Sequence, residues 1–128
     1  MREIEFRGKR VDNGKWVYGC FLKEERPIQN GFFILNSKVN FRVHNTTVGQ
    51  FTGLTDKNGT KIFEGDYNEI GDVVDWCENR NGWSLKVYDS KSNEFVMCHC
   101  FYCEGHFDID EDLNKFEVVG NIHENKEG

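Results

Sequence analysis

Apolar and polar positions alternate along most of this chain, and the alternation restarts after each cluster of turn residues. From Glu3 to Val11, Ile4 and Phe6 fall on one side, with Glu3, Glu5, Arg7 and Lys9 on the other. That period of two marks a half-buried strand. Asp12-Asn13-Gly14 comes next, and Asn-Gly between two such runs is the strongest short-range hairpin signal. The return strand, Lys15 to Leu22, carries Trp16, Val17, Tyr18 and Phe21, bulky enough on both sides to be covered on both faces. Lys23 to Gly31, which holds the only proline, Pro27, reads as a loop. Phe32 to Leu35 is a short apolar run of strand length. Ser37 to His44 alternate again, with Val39, Phe41 and Val43 opposite Lys38, Asn40, Arg42 and His44. Asn45-Thr46-Thr47 can cap a brief helical turn.

The second half reads as a meander. Strands are expected over 62–70, 72–78, 83–88, 94–102 and 116–122, separated by turn clusters such as Asn79 to Gly82 and Asp89 to Asn93. Strands at this spacing suit a sandwich or a small barrel. The expected fold class is therefore mainly β. An N-terminal β-hairpin region packs on a small SH3-like, barrel-type antiparallel meander with few short helical turns. The expected organisation is a single domain over 1–128, hairpin-rich over 1–60, a meander over 61–124 and a frayed tail over 125–128.

Composition supports this reading and narrows the possible functions. The chain has 128 residues, with 11 Phe, 3 Trp and 4 Tyr, and no alanine at all. Bulky aromatics favour sheets, and the best helix former is missing. No apolar run approaches the roughly 20 residues that span a bilayer, so no membrane association is expected. The opening alternates charge with apolar residues and lacks a signal core, so the expected location is the cytoplasm of the host cell. The net charge of −6 argues against generic binding to a phosphate backbone. Arg2, Arg7, Lys9 and Arg10 nevertheless cluster early, and beside Tyr18 or Trp83 they form a subordinate nucleic-acid candidate.

The segment TVGQFTGLTDKNGTKIFEGD, from Thr47 to Asp66, is the most distinctive run. Asp56-Lys57-Asn58-Gly59 and Glu64-Gly65-Asp66 read as two turns around a short strand. This segment, the opening MREIEFRGKRVDNGKWVYG and the closing FEVVGNIHEN resemble the three blocks of the YopX-like family of small phage and prophage proteins. The resemblance implies a β-rich fold that includes a small barrel, and a phage or prophage origin. It implies no established activity, cofactor or catalytic residue.

The most suggestive chemistry lies in Cys98-His99-Cys100-Phe101-Tyr102-Cys103-Glu104-Gly105-His106. Cys98, Cys100, Cys103 and His106 are four ligands of types that zinc takes, and Cys100-x-x-Cys103 has knuckle spacing. If the strand runs to Tyr102, however, Cys103 points away from Cys98 and Cys100. Buried thiols in a core strand are then the favoured reading. Cys20 and Cys77 stand isolated and supply no second pair. Five cysteines without a secretion signal read as reduced thiols. Asp108 to Asp112 starts like a calcium loop, but Leu113 and Val119 occupy the positions that need glycine and glutamate. No catalytic residue and no cofactor are called for. The expected function is non-enzymatic binding of a host or phage protein, with nucleic acid not favoured and a homo-oligomer open.

Overall fold

The computed structural model describes residues 5–25, 30–104 and 109–124. The chain divides into two compact units, Met1–Gly53 and Leu54–Gly128. Hydrogen bonding ties the first turn of the segment Thr47 to Asp66 into the second unit. The Asp56 carboxylate accepts from the backbone N–H of Asn58 and Thr60, and also of Val118, far along the second unit. The first turn of the hallmark segment therefore belongs to the second unit.

In the first unit, β1 (Phe6–Lys9) and β2 (Trp16–Glu25) form the expected hairpin, with Arg7 opposite Tyr18 and Lys9 opposite Trp16. Gly14 takes a φ of 71° in the turn, a conformation that favours glycine. β2 extends to Glu25 and β3 (Asn30–Asn36) begins before Gly31, so the expected loop is shorter, and Pro27 lies outside the described residues. β4 (Val39–Val43) completes the meander, and a 3₁₀ turn at Asn45–Thr47 leads into β5 (Gly49–Thr55), which pairs with β1. The strand order in this unit is β4-β3-β2-β1-β5, and β6 (Lys61–Phe63) opens the second unit. Val17, Ile34 and Val43 form the core of the first unit, with Phe6, Phe21, Phe32 and Phe41 packed against them.

In the second unit, β7 (Asp66–Tyr67), β8 (Asp72–Cys77), β9 (Gly82–Asp89) and β10 (Glu94–Cys98) form a sheet with the late β11 (Gly120–Asn121) in the order β10-β9-β8-β7-β11. Both sheets are antiparallel, so the mainly-β expectation holds. The barrel does not: the second sheet is open, with β10 and β11 as its edges. Three further expectations are corrected. The strand expected over 94–102 stops at Cys98, and the chain turns into α1 (Phe101–Glu104). The strand expected over 116–122 shrinks to Gly120–Asn121, because Phe116 turns inward and Val118 donates to Asp56. Much of the acidic connection becomes α2 (Ile109–Asn114), where Leu113 faces the core. Met1–Ile4 and the tail 125–128 lie outside the described residues.

Ile62, Val74, Trp83, Leu85, Leu113 and Phe116 make the core of the second unit. Val74, Ile62 and Phe116 are at most 1% exposed. The sheet therefore packs one apolar face under α2 and the segment after it.

Candidate metal centre

Strand register decides what the other face of this sheet carries. β8 and β9 pair Asp75 with Ser84, Cys77 with Gly82 and Val73 with Lys86, while β10 sets Cys98 opposite Lys86. Directly paired residues share a face of an antiparallel sheet. Val74, Trp76, Trp83 and Leu85 thus face the apolar core, and Asp75, Cys77, Ser84, Lys86 and Cys98 face the opposite way. This second face is polar and thiol-rich, yet shielded. Ser84 is fully buried, and Lys86 bonds Asp75 and the Trp76 carbonyl, each at 2.7 Å.

Four of the five cysteines converge here. Cys77 ends β8 and Cys98 ends β10, so the two flank β9, and the small Ser84 between them leaves room for sulfur. Ser84 Oγ lies 3.2 Å from Cys98 Sγ. Because the chain leaves the sheet after Cys98, the turn into α1 carries Cys100 and Cys103 back over the same face. Cys77 Sγ stands 3.6 Å from Cys100 Sγ and 3.7 Å from Cys103 Sγ. All four sulfurs lie within 4.8 Å of one another. Cys100 is buried, whereas Cys103 lies at the surface, where Asn79 Nδ2 reaches its sulfur at 3.5 Å.

Backbone N–H groups are directed at these sulfurs. Burial opposes ionisation of Cys77, yet the Arg80 amide and the neighbouring thiols bring it down to about 7. Burial, with Cys103 and Cys77 beside it, pushes Cys100 up to about 12, against the Cys103 amide. Burial also raises Cys98, against Ser84 and the Cys100 amide. The cluster thus favours a thiolate at Cys77 beside Cys98 and Cys100, which keep their protons. Such a set can ligate a soft or borderline cation, or be oxidised pairwise to a disulfide.

The sequence candidates are distributed as follows. Cys98, Cys100 and Cys103 come together, while His106 lies outside the described residues. The fourth sulfur is Cys77, which stands isolated in the sequence. Cys20 is exposed in the first unit. Of the nucleic-acid candidates, Arg2 lies outside the described residues. Arg7 is buried, with its guanidinium 4.3 Å from the Trp16 ring centroid, and Lys9 Nζ is 5.4 Å from the same ring. Arg10 is held by Asp12 at 2.6 Å and lies over Phe41.

A second polar feature has no signal in the sequence. His99 Nε2 lies 3.3 Å from Asp72 Oδ1, and both line a cavity of about 540 Å³ with Asn68, Leu85, Asp112 and Lys115. Among the described residues, the lining carries no hydroxyl or thiol.

The hallmark segment is structural. The buried Asp66 accepts from Phe63 N–H at 2.7 Å and from the Asn121 side chain at 3.0 Å. Gly65 has a φ of 92°, and a Cβ there would stand 2.9 Å from Asn121 Nδ2. Phe-Glu-Gly-Asp in the central block and Gly-Asn-Ile-His in the closing block are thus two sides of one buried joint. No curated protein matches the chain closely enough to count as a relative. The family model described as YopX protein matches residues 5–127, which spans both blocks of that joint and nearly the whole chain, and the chain belongs to the YopX family.

Proposed function

We propose that this YopX-family chain is a phage or prophage accessory protein that acts in the host cytoplasm as a non-enzymatic binding module, and that it takes an extended segment of a partner protein along β10. The observation that carries the reading is the exposure of this edge strand. Phe95, Val96 and Met97 are consecutive on β10 and are 37%, 59% and 45% exposed. The register shifts between Phe95 and Met97, which leaves Val96 at a bulge. Natural edges are usually guarded by charge, proline or a bulge; the bulge at Val96 interrupts this one, but three successive apolar residues set no charge against an added strand. A partner strand adding there would gain backbone hydrogen bonds and apolar contact with these side chains.

The nucleic-acid reading draws less support, since Arg7 is buried over Trp16 and Arg10 is engaged by Asp12. Pull-down from lysate of a natural host tests the proposal. A partner retained by the wild type and released by both Val96→Lys and Met97→Lys supports it. Retention of nothing above background, or retention that both variants leave unchanged, contradicts it. A gel shift on DNA or RNA at low salt that falls as salt rises would put nucleic acid in the partner's place.

A further inference from the structure

We propose that Cys77, Cys98, Cys100 and Cys103 bind one Zn²⁺ as a closed, four-thiolate structural site. Zinc holds thiolates at about 2.3 Å in a tetrahedron, which sets neighbouring sulfurs about 3.8 Å apart. The distances from Cys77 Sγ to Cys100 Sγ and Cys103 Sγ, 3.6 and 3.7 Å, already match that edge. The widest separation among the four is no more than 4.8 Å. A tetrahedral all-sulfur set points to zinc or iron. This spacing leaves room for one ion and none for a multi-iron cluster with its bridging sulfides.

The surroundings suit a structural ion. Two ligands come from the ends of strands on either side of β9, and two from the Cys100-x-x-Cys103 turn, where Cys103 N–H also bonds the Cys100 carbonyl at 3.1 Å. Backbone N–H groups of Arg80, Cys100 and Cys103 reach the sulfurs of Cys77, Cys98 and Cys100. Bonds of this kind to metal thiolates orient the ligands and spread their charge. Binding releases the thiol protons that remain on the cluster and leaves a site of charge −2. Lys86, on the same face, stands close enough that charge on Cys98 or Cys77 favours its ammonium, although burial opposes it and Asp75 is its main partner. Four protein ligands leave no open position for substrate, so the role is to hold β8, β10 and α1 together.

The test uses tag-free full-length chain, reduced and freed of metal, then offered zinc alone and cleared of excess. The expected result is one zinc per chain and one thiol, Cys20, open to a thiol reagent, with the other four exposed only on adding a chelator. Cys77→Ser should hold zinc at least about tenfold more weakly, whereas Cys20→Ser should match the wild type. Far less than one zinc with all five thiols reactive overturns the site. So does equal retention of zinc by Cys77→Ser. Should Cys77→Ser fail to fold, the metal content and thiol protection of the wild type still decide. Iron displacing bound zinc, seen as a visible charge-transfer band, overturns the choice of metal.

Discussion

The two faces of the β8–β9–β10 sheet are built from the same strands and held by different physics. One face buries Val74, Trp83 and Leu85 against Ile62, Leu113 and Phe116. Its stability is water exclusion, indifferent to ions and oxidants. The other presents Asp75, Ser84 and Lys86, polar groups that stay buried only when paired, beside the thiols of Cys77 and Cys98. Alternation of side chains lets one strand serve both, so a single residue step exchanges an oily contact for a thiol. A metal site can thus be written into the second face of an otherwise ordinary sheet.

On the apolar side, Phe116→Ala should cost about 3–5 kcal/mol, read by urea unfolding, and by the same amount with zinc or with chelator. A cost below about 1 kcal/mol, or one that depends on zinc, would blur the two faces.

Next comes the carboxylate that closes this side. Asp56→Ala removes an acceptor of three backbone N–H groups and should cost about 2–4 kcal/mol near neutral pH. Burial opposes the Asp56 charge, but the amides of Val118, Thr60 and Asn58 outweigh it and hold its pKa below the ordinary 3.8. A depressed carboxyl stabilises the fold above its unfolded pKa and loses that contribution as pH falls through the folded one. The gap between wild type and Asp56→Ala should therefore be constant above about pH 5 and narrow below about pH 4. A gap that widens on acidification would refute the assignment.

On the thiol face, Lys86→Met leaves Asp75 without its ion pair. It should cost about 1–3 kcal/mol and weaken zinc retention roughly tenfold, an effect that Phe116→Ala should not share. Unchanged zinc retention would mean that Lys86 serves Asp75 alone. The smallest change is Val96→Lys at the exposed edge, which should stay within about 0.5 kcal/mol of wild type in stability while releasing a bound partner. A larger loss would place Val96 in the fold rather than at an interface.

Much of the fold is legible in the sequence because it is locally encoded. Asp12-Asn13-Gly14 announces the first hairpin, and the alternation through Trp83, Leu85 and Val87 announces β9. The pairing of Asp66 with Asn121 is not legible, since it joins residues with no shared periodicity, although both lie in blocks that resemble the YopX family. The thiol site is half legible. Cys98, Cys100 and Cys103 stand out by spacing. A strand through Tyr102 would turn Cys103 the wrong way, and Cys77 carries no local signal. A usable one exists: Cys77 and Cys98 each end a strand of a three-strand meander, and such ends flank the middle strand on one face when register allows. Register is the term that sequence alone leaves open.

Zinc-edge X-ray absorption on the zinc-loaded wild-type chain tests the metal face most directly. Four sulfur neighbours at about 2.3 Å, with no lighter atom in the shell, is the predicted result. A shell with nitrogen or oxygen in place of any sulfur, or a chain that retains no zinc to measure, would contradict it.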